Sequence, residues 1–509
     1  MAISLLVELA RRVRLPYPVV LVLSGLALGF VPGLPAPTLD PDIFFFFFLP
    51  PLVYSEAFVF STEDLRAHGA EIFLLAVGLV VATALAVATI AHAAFGLPWA
   101  AALVLGAVVG PTDPVSATTV LRRLRVAGPT VTILEGEALV NDATALVVYR
   151  LAVGSVGAAG VSLGHTVAEI FWVAAGGAAV GVGVAWAWTW VRRRLSDPEV
   201  QITFSFATPF AAYFPAERLG MSGVLAAVIA GLMVGRQAHT MPAGMRLRRE
   251  AFWEVLVFQL NSSLFLLMGL TFPAVLRRLG DLSTGELVWR ALVIAAAVMV
   301  LRCVWMFLMP GVLSRLDPAR AGRPPLGQLL VLGWSGMRGG VSLAAAMSIP
   351  VAVDGHAFPG RDEIVFLTYM VVLATLVVPG LTLGPLVRRL ELGADGGHQR
   401  RDERARAQIL RAALEHIDEL AERDELPDEI AQHLRRIYES RSGSLASVPT
   451  PDRVEGAGVE RSDAGLRARR QVIGAQRAAL AELEDSDQIG SRAARDIERD
   501  LDLEEREYS

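Results

Sequence analysis

A chain of 509 residues that is 53% hydrophobic and only 19% charged, with a mean hydropathy of +0.48 despite a highly charged end, is not an ordinary soluble enzyme. The formal net charge of −5 is segregated by region, and nothing in it supports nucleic-acid binding. The single cysteine, Cys303, sits in an apolar run, which excludes an intrachain disulfide or a thiolate metal cluster and leaves a packing thiol.

Apolar runs of about 18 to 25 residues, each able to cross a ~30 Å hydrocarbon core, recur from residue 17 to about residue 390. They predict an all-α polytopic membrane protein. The opening MAISLLVELARRVRLPYP is too short for a full span, and Arg11, Arg12 and Arg14 follow its apolar stretch, the wrong order for a signal peptide. It reads as the remnant of a first span. Further spans are predicted near 17–31, 41–60, 70–92, 98–122, 130–153, 165–191, 200–215, 219–235, 251–275, 286–314, 326–350 and 363–387. The five phenylalanines at 44–48 predict packing or lipid contact, and Trp186, Trp188 and Trp190 beside an arginine triplet predict an aromatic belt at the membrane surface.

Alternating these spans puts Arg122, Arg123 and Arg125, then Arg192, Arg193 and Arg194, then Arg246, Arg248 and Arg249, then Arg315, Arg320 and Arg323, then Arg388 and Arg389 on one face. By the positive-inside rule that face is cytoplasmic, the C-terminal end included. The opposite loops hold few basic residues.

Two spans are broken in their middles. VVGPTDPVSATTV places Gly110, Pro111 and Pro114 inside one, and GWSGMRGGVSLAAAM places Gly333, Gly336, Gly339 and Gly340 inside another. Proline lacks the amide donor and glycine weakens helix continuity, so both spans are expected to unwind at bilayer depth, where bare backbone survives only in protein or beside a cavity. Counting the remnant, these are the fifth and twelfth spans, the fifth of each of two six-span halves separated by one linking span, which predicts inverted repeats with a binding site where the breaks meet. Asp113 in one break and Arg338 in the other can neutralise the helix-dipole ends gathered there.

Between the breaks, LEGEALVNDATALVVYRLAV at 134–153 carries two glutamates, an asparagine and an aspartate in an otherwise apolar span. Glu137 is expected to pair with Arg338. Asp142 has no cation nearby in its own span, Arg150 being two turns away, and an unpaired intramembrane carboxylate is retained for ion or proton handling.

From about residue 391 the composition changes, and roughly half of all charged residues crowd into the last quarter of the chain. AQILRAALEHIDELAE repeats Ile409, Leu410, Ala413, Leu414, Ile417 and Leu420 at helical spacing, a Ser/Gly/Pro-rich linker is expected over 442–458, and two short charged helices over the remainder. The expected division is a transmembrane domain over 1–390 and a cytoplasmic helical tail over 391–509.

GPTDPVSA, EGEALVNDATALV, GWSGMRGGVSLAAAMSIP and FLPPLVYSEAF together resemble motifs of the monovalent cation:proton antiporters, sodium/proton exchanger branch, over about residues 1–390. The resemblance implies a thirteen-span fold with crossed broken helices, a homodimer in the lipid of the plasma membrane, and exchange of sodium, or of potassium or lithium, for protons, with no cofactor. By motif position it makes Asp142 the ion- and proton-binding carboxylate with Asn141 beside it, Thr112 and Asp113 the crossing, Asp142 and Thr112 the sodium ligands, and Glu137 with Arg338 a structural ion pair. The chain departs from the pattern at Ala138, where many members have a serine, and at Ser55, where an acidic residue is displaced to Glu56.

The same residues bear on other classes. GWSG at 333–336 matches the G-x-S-G of intramembrane serine proteases, but such chemistry needs a histidine base beside Ser335 from another span, and His356 lies in a polar loop and His398, His416 and His433 in the tail. A potassium/proton antiporter, a channel or a sodium-coupled solute carrier also suits broken helices and a buried aspartate. The motifs together predict secondary active, alternating-access antiport. It is electroneutral, since Asp142 alone is left to titrate at the site.

Overall fold

The computed structural model describes residues 2–507 apart from 14, 33–42, 125, 127, 157–162, 196, 238–240, 280–283, 317–323, 354–355, 393–395, 444–462 and 487. Arg125, Arg320 and Arg323, and most of the linker expected over 442–458, lie outside the described residues.

Helix dominates, and a helical segment stands at each predicted span. Helix α1 (Ala2–Val13) and α2 (Tyr17–Gly29) open the chain, and a π-helical turn at Phe44–Phe48 leads into α3 (Leu49–Val59). Next come α4 (Thr62–Phe73), a second π-helical stretch at Leu74–Leu79 and α5 (Val80–Phe95), which run on as one span from Thr62 to Phe95. Ser61 caps this span by accepting from the amides of Glu63 and Asp64. Its far end stops at Gly96, whose φ of +75° is open to glycine and turns the chain into Pro98. The first broken span is α6 (Trp99–Val109) and α7 (Pro114–Arg123), followed by α8 (Gly128–Gly154), α9 (Leu163–Arg192), α10 (Pro198–Arg218), α11 (Gly223–Gly235), α12 (Ala243–Arg278) and α13 (Thr284–Leu316). The second broken span is α14 (Leu326–Trp334) and α15 (Gly340–Met347), and a two-residue hairpin of β1 (Ala352–Val353) and β2 (His356–Ala357) precedes α16 (Arg361–Arg389). Six of the described helical stretches are long and apolar enough to cross a membrane by themselves. Helix α1, at ~18 Å for its 12 residues, is shorter than a bilayer core.

Small residues let these helices touch backbone to backbone. Gly25 of α2 and Gly269 of α12 face each other so closely that a Cβ on either would enter the other helix's main chain. Phe44 and Phe48 are buried while Phe46 and Phe47 are exposed, so the aromatic run serves both packing and the outer surface. Trp186 and Trp190 are exposed and Trp188 is buried, which limits the expected belt to the outer two; the Arg194 guanidinium lies 3.5 Å over the Trp190 ring.

The chain divides into two compact units, one of Met1–His239 with Phe252–Ala394 and one of Thr240–Ala251 with Asp395–Ser509. In the second, α17 (Gly396–Glu422), α18 (Asp428–Gly443), α19 (Asp463–Asp485) and α20 (Ser491–Glu507) bury the stripe read from the sequence: Ile409, Ala413, Ile417 and Leu420 are all buried. The segment Thr240–Ala251, assigned by the sequence to the transmembrane domain, belongs to this unit for an electrostatic reason. Arg246 is buried there and bonds Asp502 (Nε–Oδ2 2.5 Å) and Glu498 (2.9 Å), while Arg477 also reaches Asp502 at 2.7 Å.

Candidate functional site

The first break follows from its prolines. Pro114 cannot donate and so begins α7 as its first residue, and Asp113 caps it, Oδ1 accepting from the Val115 amide at 2.9 Å. In the second, Ser335 closes α14, and Gly339, in extended backbone, opens α15. The breaks meet directly. The Asp113 amide donates to the Met337 carbonyl at 2.8 Å, and Arg338 Nε donates to the Val109 carbonyl at the end of α6 at 3.2 Å, its Nη1 bonding the Gly336 carbonyl. The expected division of labour therefore holds in the geometry: a cation sits on the carbonyl end of one half-helix and a carboxylate on the amide end of another.

That carboxylate lies against Gly339, where a Cβ would overlap it. The φ of −129° at Gly339 suits any residue, so the constraint is steric alone. Gly339→Ala is expected to destabilise by roughly 1–3 kcal/mol through overpacking. A detergent thermal midpoint equal to that of the parent protein would show the approach to be looser.

On α8, Glu137 and Asn141 are four residues apart and share a face. Asn141 Nδ2 donates to the Thr112 carbonyl (2.9 Å) and to its Oγ1 (3.0 Å), and Thr112 Oγ1 donates to Glu137 Oε1 (2.8 Å). The Thr112 carbonyl of the first break is thus held by α8. The expected Glu137–Arg338 pair is not the one that forms. Glu137, 1% exposed, is gripped through both oxygens by Arg302 of α13, 0% exposed, at 2.5 and 2.7 Å, and Arg302 Nε reaches the Leu332 carbonyl of α14 at 3.2 Å. A planar guanidinium matches both carboxylate oxygens only when it approaches in their plane. Arg302 does so, whereas Arg338 is turned toward the two carbonyls at the breaks.

Asp142, one residue and about 100° further round the helix, faces elsewhere. It lines a small cavity with Glu56 of α3, Thr112 and Asp113 of the first break, Asn261 of α12 and Ser342 of α15. The side chains of Asp142 and Glu56 make no hydrogen bond or ion pair with the described residues, and Arg150, two turns further along α8, is taken by Glu217 at 2.6 Å. Among the described residues no three His, Cys, Asp or Glu side chains converge to hold a metal ion. The cavity instead offers a mixed set of carboxylate, hydroxyl, amide and carbonyl oxygens, the donors suited to a hard cation. Thr112 contributes least, its hydroxyl already donating to Glu137 and accepting from Asn141. Ser335 is no nucleophile in waiting, since its hydroxyl donates to the Val331 carbonyl at 2.6 Å. Cys303 packs beside Gly333, as a thiol in an apolar run should.

Arg302 and Asn261 join the site from outside the motifs singled out above, Ser342 from within the second broken span, and Glu56 comes from the position where the chain departs from the family pattern. Arg302 carried the plainest signal, a lone arginine in VMVLRCVW, because an intramembrane charge requires a partner. Asn261 stood in the polar interruption QLNSS of an apolar helix.

Over residues 1–389 the chain matches the family described as sodium/hydrogen exchanger, transmembrane. An uncharacterised Na(+)/H(+) exchanger of Mycobacterium tuberculosis is 32% identical over 505 residues, covering 98% of this chain and 92% of its own. The uncharacterised Na(+)/H(+) exchanger YjcE of Escherichia coli is 32% identical, with 96% and 94% covered, and the low-affinity Na(+)/H(+) antiporter NhaS1 of Synechocystis is 31% identical, with 86% and 81% covered. Among solved structures, the sodium proton antiporter MjNhaP1 of Methanocaldococcus jannaschii superposes with a TM-score of 0.61 at 19% identity, over 77% of this chain and 96% of that one, a likeness of fold.

Proposed function

The chain belongs to the sodium/hydrogen exchanger family, whose members are cation/proton antiporters and not enzymes, and we propose that Asp142 is the group at which its two substrates compete. The supporting observation is the Asp142 carboxylate facing a cavity at the helix crossing with no arginine of the described residues paired to it. Ionised, it balances one monovalent cation; protonated, it is neutral without one. Both loaded forms present the same net charge to the membrane interior, while the empty ionised form is the costly one, so exposure changes only when cation or proton is aboard. The cation is sodium, as the names of the relatives favour, and the protein works as a homodimer in the plasma membrane with its tail in the cytoplasm, the side to which the basic clusters point.

Reconstituted in proteoliposomes with an internal pH dye, the protein should release a preset acid-inside gradient when sodium is added outside. Cation flux without proton movement would mean a channel, and sodium flux requiring an added solute would mean a symporter. Comparing sodium, potassium and lithium ranks the cations.

Exchange is expected to be electroneutral. Asn141 cannot ionise, Glu137 is neutralised by Arg302, guanidinium groups keep their protons, and Asp113 is committed to the helix ends. Glu56 shares the cavity with Asp142, and two carboxyls with no fixed cation beside them do not both ionise, so the pair holds at most one negative charge and none when the proton is aboard. The equilibrium pH gradient should therefore stay constant when potassium and valinomycin set different membrane potentials. A gradient that moves with potential would mean that Glu56 exchanges a second proton.

A further inference from the structure

We propose that Ser342 supplies a hydroxyl ligand to the transported cation and helps to set which alkali cation the cavity prefers, an inference that rests on the reading of Asp142 as the cation site. Hydroxyls in these spans ordinarily satisfy themselves on their own helix. Thr375 donates to the Val371 carbonyl at 2.8 Å, Thr144 to Val140 at 3.0 Å and Thr119 to Val115 at 2.7 Å. Ser342 cannot do this. It is the third residue of α15, so the carbonyl four residues back belongs to Arg338, in the break, outside the helix. Its hydroxyl is buried, the residue being 1% exposed, and has no hydrogen-bond partner among the described residues. Thr83, Ser116, Ser262 and Thr368 also have buried hydroxyls without a partner among the described residues, but only Ser342 lines the cavity, where a bound ion can satisfy it.

The place of Ser342 identifies that partner. It lines the same cavity as Asp142, and so does Ala138, which has no polar atom to offer. The amide end of α15 would by itself repel a cation, but the Asp113 carboxylate lies against Gly339 at that end and offsets it. A hydroxyl oxygen beside a carboxylate is a hard donor pair of the kind alkali cations take.

The chain contains its own control. Asp113-Pro114-Val115-Ser116 opens α7 as Gly339-Gly340-Val341-Ser342 opens α15, and Ser116 likewise has a buried hydroxyl without a partner among the described residues. Ser116, however, is not among the residues lining the cavity. If Ser342 matters only for packing at a half-helix start, the two serines should behave alike; if it binds the cation, they should not.

The experiment measures the half-saturating sodium, lithium and potassium concentrations for exchange in proteoliposomes, and the sodium-induced rise of the thermal midpoint in detergent, for the parent protein, S342A, S342C, S116A and A138S/S342A. S342A and S342C should raise the half-saturating sodium concentration about tenfold, with the maximal rate within about twofold, and should shrink the sodium-induced thermal shift. The shift in half-saturation should differ between lithium and potassium, S116A should match the parent, and A138S/S342A should recover part of the affinity. Unchanged half-saturation for all three cations in both Ser342 variants overturns the proposal, as does an equal effect of S116A. Absence of sodium-driven proton movement in the parent protein would instead overturn the antiport reading, and the thermal-shift series still reports whether Ser342 touches the cation.

Discussion

Asp142→Asn is expected to abolish exchange, lowering sodium-driven proton flux at least about 100-fold, while the protein folds and inserts as before. The substitution keeps the shape of the side chain and removes only its ability to change charge, and no hydrogen bond or ion pair to the described residues is lost with it. Asparagine can neither neutralise a cation in the cavity nor take up and release a proton. The thermal midpoint should therefore stay at or above that of the parent, since a charge held in a low-dielectric interior without a fixed partner is removed. A folded Asp142→Asn protein that still exchanges sodium for protons would take Asp142 out of the centre of the mechanism and transfer its role to Glu56, the other carboxyl facing the cavity without a partner. Flux and melting must be read together, because a variant that merely fails to fold would lose transport for an uninformative reason.

The second large effect is on stability. Glu137→Gln or Arg302→Met alone is expected to destabilise by roughly 3–5 kcal/mol, because each leaves a fully buried charge without its counter-ion. The double variant should recover part of this loss. Recovery is incomplete because the Thr112 hydroxyl loses an anionic acceptor and the Leu332 carbonyl loses its donor, bonds at 2.8 and 3.2 Å. A cycle of four thermal or denaturant unfolding measurements gives the coupling energy directly. Additive losses would show that the two residues do not interact. A parallel cycle with Arg338 in place of Arg302 should give a much smaller coupling, since the Arg338 guanidinium bonds carbonyls at Val109 and Gly336 and no carboxylate among the described residues. A larger coupling to Arg338 than to Arg302 would reinstate the pairing first expected from sequence.

Much of this molecule was legible one residue at a time. The spans follow from hydropathy, since a bilayer fixes how many apolar residues a helix needs, and the two breaks follow from Pro111, Pro114 and the glycines around Arg338, whose effect on the helix is covalent and local. The dipole argument placed Asp113 and Arg338 at the half-helix ends from their position in the breaks alone. The stripe Ile409, Ala413, Ile417 and Leu420 was legible because a helix half in water must sort its faces.

Tertiary structure decided what depends on rotation. A span that is apolar all round carries no mark of which side faces a neighbour, so hydropathy gives its length and not its azimuth. Each residue turns the helix by about 100°, and a partner's identity hangs on that angle. Glu137 could reach an arginine from either of two spans, and only the packing of α13 against the crossing selected Arg302 over Arg338. The same holds for the cavity. Glu56, Asn261 and Ser342 come from three helices remote in sequence from Asp142, and they converge because backbone-to-backbone contacts such as Gly25 with Gly269 fix how each helix is rotated and how deep it sits. The sequence by itself could locate the charged groups a membrane must accommodate; which of them meet was settled by the packing of the helices that carry them.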